Sequence, residues 1–113
     1  MKLREPTYFI LASLQEGPLH GYGVITRASE LSSGRIRLAT GTLYAALDRL
    51  AGENMVTPVR EETVNGRARR YYSLTDDGRA ALMVEAAALA EAARVVTDRA
   101  NRAMTVRPAE GLA

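Results

Sequence analysis

Cysteine is absent from this chain, which excludes disulfides and thiolate metal sites and fits a reducing compartment. Tryptophan is absent too, and nothing aromatic follows Tyr72. His20 is the only histidine, and no serine or acidic constellation stands at triad or metal-ligand spacing. No enzyme, catalytic residue, metal or cofactor is therefore expected. The apolar run over residues 8–14 is too short for a membrane span and precedes no small-residue cleavage site, so the expected location is the cytoplasm and no membrane is a partner. Lysine is nearly missing as well: of 15 basic residues only Lys2 is not arginine, against 13 acidic ones, for a net charge of +2. So mild an excess is weak support for a polyanionic partner, and GC-rich coding alone would favour arginine, so each arginine is read by its position.

At 113 residues the chain is one domain by length, small enough for dimerisation to be a natural source of further stability. Pro6 with Glu5 beside it opens a first helix that runs to Glu16 and stops at Gly17-Pro18. Phe9, Ile10, Leu11 and Leu14 are more apolar than one face requires, which predicts cover on two sides. A second helix from His20 or Gly21 to Ser32 places Tyr22, Ile25, Ala28 and Leu31 on an i, i+3 stripe. Gly21 and Gly23 lack the preceding strand and third glycine of a dinucleotide fingerprint. After the break at Ser32-Ser33-Gly34, the alternation of residues 35–38 predicts a short half-buried strand.

The stretch 40–54 predicts a third helix, capped by Thr40 and closed by Gly52 and Asn54. Leu43, Leu47 and Leu50 form a narrow apolar stripe at i, i+4, i+7. The opposite face carries Gly41, Thr42, Ala45 and Arg49, with Tyr44 and Asp48 on its shoulders. Such a small, polar face can enter the major groove of B-DNA, about 12 Å wide. An ordinary amphipathic helix with short outer side chains fits the same pattern.

Over residues 55–74 the period becomes two, and Asn65-Gly66 predicts a hairpin with a type I′ turn. That turn sets Val64 opposite Arg67, Glu62 opposite Arg69, Glu61 opposite Arg70, Val59 opposite Tyr72 and Thr57 opposite Leu74. Val59, Tyr72 and Leu74 then share the core side. Cross-strand glutamates absorb part of the charge of Arg69 and Arg70, in pairs worth about 0.2–1 kcal/mol. Arg67, at the tip, has none and is the most available cation.

Thr75 caps a final helix with Asp76 and Asp77 in its first turn, extending to Met104. Leu82, Ala86, Leu89, Ala93, Val96, Ala100 and Ala103 fall at alternating steps of four and three, a coiled-coil seam of about three heptads. Packing on the protein's own first helix is the competing reading. A helix of about 28 residues spans about 40 Å, however, and would overshoot so small a domain. Residues 105–113 have no pattern and are expected to form a flexible tail.

The fold class expected is mainly α with a small β-hairpin wing: a winged helix-turn-helix over 1–75 and a long dimerisation helix over 76–104. His20-Gly21-Tyr22, then Gly41-Thr42-Leu43-Tyr44 with Leu47, Arg49 and Leu50, and the run Arg70-Tyr71-Tyr72-Ser73-Leu74-Thr75-Asp76-Asp77-Gly78 resemble the PadR family of bacterial transcriptional regulators over residues 5–82. Ala45 stands where the family often has proline, and Asn54 where it commonly has glycine. The resemblance implies a nucleoid-associated homodimer joined through the carboxy-terminal helix, usually a repressor released by a small molecule; the short chain after Thr75 is similar to the branch with a single such helix.

The roles expected are base contacts for Thr42 and Arg49 with Gly41 and Ala45 between them, phosphate contacts for Thr40 and Tyr44, and backbone contacts for Arg67 and Arg69 from the wing. Partners are double-stranded DNA, a second copy joined through Leu82, Ala86, Leu89, Ala93, Val96 and Ala100, and a small hydrophobic effector. Some relatives hold flat aromatic compounds beside a tryptophan on the last helix, which this chain lacks. Tyr8, Phe9, Met83 and Leu89 are the candidates for an apolar pocket, with core packing as their competing role. The rival functional class is a winged-helix protein-interaction module that never touches DNA, a reading favoured by the near-neutral third helix.

Overall fold

The structure, a computed structural model, describes residues 3–112, with side chains described as far as Met104. Its elements are α1 (Glu5–Ser13), β1 (Leu19–His20), α2 (Gly21–Leu31), α3 (Thr40–Gly52), β2 (Val56–Val64), β3 (Arg67–Leu74) and α4 (Asp76–Leu112). Two units divide the chain, Met1–Met83 and Val84–Ala113.

In the first unit Ile10, Leu11 and Leu14 from the α1 region, Val24 from α2 and the Leu43, Leu47, Leu50 stripe of α3 pack together with Val56, Tyr72, Leu74 and Leu82. The stripe of α3 is thus buried as its spacing predicts. The stripe of α2 is only partly the one expected: Ala28 is buried and Ile25 packs against the core, but Tyr22 and Leu31 do not. Gly21, Val24 and Ala28 turn inward, whereas Tyr22 is 73% exposed and Leu31 lies at the surface. The small residues of α2 face the core because they let the helix approach its neighbours closely, a preference that apolar periodicity does not register.

The alternation of residues 35–38 does not make a strand. Ser33 (φ 55°) and Gly34 (φ 81°) adopt left-handed backbone after α2. The Gly34 N–H donates to the Ser29 carbonyl at 2.7 Å, and the Ile36 N–H to the Ser32 hydroxyl at 2.8 Å. Ile36 is buried, but the residues around it form no strand. The third strand is instead Leu19–His20, which pairs antiparallel with β3 to give the sheet order β1-β3-β2.

In the hairpin, Asn65 (φ 51°) and Gly66 (φ 77°) supply the two positive φ angles of the expected turn. Val64 faces Arg67, Glu62 faces Arg69 and Glu61 faces Arg70, but the register then slips, with Arg60 opposite Tyr71 and Pro58 opposite Tyr72. Val59 is the extra residue of this bulge and is 47% exposed; Val56, opposite Leu74, takes the core seat. Pro58 has no N–H for the ladder, which makes its neighbourhood the natural place for the irregularity.

Thr40 is the first residue of α3 rather than its cap. Ala39 occupies the cap position and no side-chain bond closes that end. Thr75 does cap α4: its hydroxyl accepts from the Gly78 N–H at 2.9 Å and donates to the Asn54 carbonyl at 2.6 Å. Asn54, left-handed at φ 60°, ends the α3 turn and donates through Nδ2 to Asp77 at 2.8 Å.

Leu82 is 2% exposed and belongs to the core of the first unit, so it is removed from the expected dimerisation seam. In the second unit Leu89, Val95 and Val96 are exposed, as are Ala93 and Ala100. Helix α4 passes the end expected at Met104 and is assigned through Leu112. The tail expected over 105–113 falls on side chains and a final residue outside the described ones.

Candidate nucleic-acid interface

Burying Leu43, Leu47 and Leu50 leaves Thr40, Gly41, Thr42, Ala45, Asp48 and Arg49 exposed along α3. Gly41 meets nothing within 4 Å where a Cβ would stand, so the helix surface there is open to close approach. Tyr44, 40% exposed, leaves this face on the side of α2 and the wing. Its ring lines two concavities. One, of about 570 Å³, is bounded by His20, Tyr22, Val64, Asn65, Arg67 and Arg69. The other, of about 390 Å³, is bounded by Asp48, Glu61, Ala68, Arg70 and Tyr72.

The two faces of the wing differ in charge. Arg70 lies 3.8 Å from Glu61, its hold on the proton strengthened first by the neighbouring Tyr72 side chain and then by Glu61. Arg60, Arg67 and Arg69 are on the opposite side of the strands, because facing residues in a ladder share a side and successive residues along a strand do not. Arg60 stacks over the Tyr71 ring at 4.1 Å. Arg69 has Glu62 across the ladder, and Arg67 has no carboxylate partner among the described residues. Tyr71 also meets His20, ring centroids 5.4 Å apart. Burial and then the Arg69 charge lower the His20 pKa from its ordinary 6.5, against a smaller opposing pull from Glu62.

Tyr44, Arg67 and Arg69 are therefore brought to one concavity as candidates, joined by His20, expected at the entry of the second helix, and by Tyr22, expected on its apolar stripe. The signal for Tyr22 was present in the smallness of Gly21 and Ala28, which mark the true inner face. Arg49 is not brought to that group. Its Nη2 donates to the Thr7 hydroxyl at 3.2 Å, and its Nη1 lies 3.4 Å from Glu53, beside a separate concavity bounded by Leu3, Arg4 and Met55.

Among the described residues no group of His, Asp and Glu is placed to hold a metal ion, and no helix is long and apolar enough to cross a membrane. Three helices, a short strand and a hairpin whose tip stands beside the exposed shoulder of the third helix define a winged helix-turn-helix protein. Residues 10–84 match the Transcriptional regulator PadR-like family, and the chain belongs to that family. It is 39% identical over 87 residues to Transcriptional regulator Rv3488 of Mycobacterium tuberculosis, covering 77% of this chain and 78% of that one. It is 41% identical over 90 residues to the uncharacterized 37.1 kDa protein in transposon TN4556 of Streptomyces fradiae, covering 80% of this chain but only 24% of that protein.

Among solved structures, Bacillus subtilis PadR in complex with operator DNA superposes with a TM-score of 0.62 at 27% identity, covering 71% of this chain and 45% of that one. A PadR family regulator of Clostridium difficile R20291 shares the fold, with a TM-score of 0.69 at 22% identity over 84% of this chain and 97% of that one.

Proposed function

We propose that this transcriptional regulator binds double-stranded DNA as a homodimer and represses from a palindromic operator. The observation that carries the reading is the concavity where Tyr44 of α3 meets Arg67 and Arg69 of the wing, next to an α3 face of glycine, threonine and alanine. With α3 in the major groove, Thr42, Gly41 and Ala45 meet base edges, Thr40 and Tyr44 bond phosphate, and the wing arginines follow the backbone. Arg49, held by Thr7 and Glu53, reaches the backbone on the α1 side rather than a base. That Bacillus subtilis PadR is solved in complex with operator DNA supports duplex DNA as the partner.

The exposed Leu89, Ala93, Val96 and Ala100 support a helix-to-helix dimer. Two copies read half-sites about one helical turn apart. The test is selection of bound fragments from random duplexes, followed by titration of affinity against salt. A palindrome and a steep fall in affinity as salt rises are expected. Failure to retain any duplex in dilute buffer would overturn the reading and favour the protein-docking alternative, which the near-neutral charge of α3 also suits. Sedimentation as a monomer would remove the dimer.

A further inference from the structure

Gly21 opens α2 without left-handed backbone, so its own conformation gives no reason for glycine. The reason lies on the neighbouring helix. A Cβ at Gly21 would stand 2.5 Å from the Tyr44 hydroxyl oxygen, 2.7 Å from Cζ and 3.2 Å from Cε1. The phenol end of Tyr44 occupies the space that any other residue at position 21 would fill. Gly23, two residues further along α2, is different: the nearest atoms to its Cβ position are the ends of His20 and Leu19 at 3.4 Å, an ordinary distance.

We propose that Gly21 is a positioning residue for DNA binding, its bare Cα forming the seat that aims the Tyr44 hydroxyl at the phosphate backbone. This rests on the reading that Tyr44 bonds phosphate. Tyr44 forms the wall between the cationic concavity of Arg67 and Arg69 and the charge-balanced one of Asp48, Glu61 and Arg70. Its hydroxyl has no protein hydrogen-bond partner among the described residues, so the oxygen is available while the ring is held. Fixing the ring before the duplex arrives removes rotamer freedom that binding would otherwise have to remove, which is how a residue out of reach of DNA raises affinity for it. The seat also ties α3 to the first turn of α2, setting the reading helix against its supporting helix through one side chain.

A double-mutant cycle tests the proposal, read by fluorescence anisotropy on the selected operator with the full chain. Because the clashing atoms are the far end of a flexible side chain, Gly21→Ala should fold with an unchanged melting temperature while affinity falls by about tenfold, the scale of one hydrogen bond to a charged group. The loss should be similar on every duplex, as for a phosphate contact. In a Tyr44→Ala background the same substitution should cost nothing further, and Gly23→Ala should bind as the parent protein does. Wild-type affinity for Gly21→Ala, or losses that multiply in the double variant, would overturn the proposal. The assigned Tyr44 ring resonances supply a readout without DNA: they should move in Gly21→Ala and stay in Gly23→Ala, and an unmoved ring refutes the seat. A parent protein that ignores every duplex refutes the phosphate reading instead.

Discussion

Replacing Gly78 with alanine sets helix propensity against tertiary packing, and the two predict opposite signs. In a helix interior alanine is favoured over glycine by about 0.8–1 kcal/mol, so propensity alone forecasts a more stable protein. A Cβ on Gly78, however, would stand 2.0 Å from the Met55 carbonyl oxygen, 2.9 Å from its carbon and 3.0 Å from Leu74 Cδ1. That carbonyl cannot swing aside freely. It accepts from the Thr75 N–H at 3.1 Å, while the preceding Asn54 carbonyl takes the Thr75 hydroxyl at 2.6 Å and the Asn54 side chain holds Asp77 at 2.8 Å. Relieving the clash moves the start of α4 away from this knot. Overpacking costs about 1–3 kcal/mol, and weakening one or two of the bonds about 0.5–1.5 kcal/mol each. Less the propensity gain, the expected loss is about 2 kcal/mol, which lowers the melting temperature by about 10 °C for a domain of this size. Far-UV circular dichroism melts at several concentrations separate this from dissociation of a dimer. Gly52→Ala, with nothing within 4 Å of the new Cβ, is the control and should melt at or slightly above the parent. A Gly78→Ala protein melting at or above the parent would show that the close approach to Met55 is not a constraint.

Arg67→Ala should weaken binding to every duplex and reduce the slope of log affinity against log salt by about 0.9, the release of one phosphate's counterion; an unchanged slope would remove Arg67 from the backbone. Leu82→Ala should cost about 2–5 kcal/mol of stability through a cavity in the core, whereas Leu89→Ala, at an exposed position, should leave the melt of the first unit alone and weaken self-association in sedimentation. The reverse pattern would return Leu82 to the seam. For His20, the folded pKa lies below its ordinary 6.5, so the unfolded chain binds the proton more readily. Its contribution to stability is full above pH 6.5 and lost as pH falls through the lowered folded value, and His20→Gln should flatten stability over that interval. A parent whose stability rises on acidification through this range would contradict the sign.

Within the site, the sequence was informative wherever local chemistry decides geometry. Asn65-Gly66 selected the wing turn, and with it the placement of Arg67 at the tip and Arg70 against Glu61, because a two-residue turn fixes the ladder next to it. Towards the far end of the same ladder, Pro58 and the bulge at Val59 shifted the count, and the core seat passed to Val56. The exposed face of α3 was legible for a similar reason, since its leucines left only one side free. Arg49 was not legible, and Tyr22 was legible only through the small residues of α2, not through its apolar periodicity. The first depends on Thr7, 42 residues earlier, taking its guanidinium. The second depends on which side of α2 can approach its neighbours, and there small residues prevail over apolar ones.

What the chain determines by itself is therefore most of its set of elements: helices from 3.6-residue periodicity, the start of α4 from the Thr75 cap, and the wing from a turn that requires positive φ. Those properties rest on interactions a few residues long. Tertiary structure decided the rest. Leu19–His20 became the third strand because β3 offered it a partner, Leu82 joined the core although its heptad position pointed outward, and Gly21 and Gly78 are required by the side chain or carbonyl packed upon them. Each of these depends on atoms brought together from distant parts of the chain, and no pattern of neighbours in sequence encodes such a meeting.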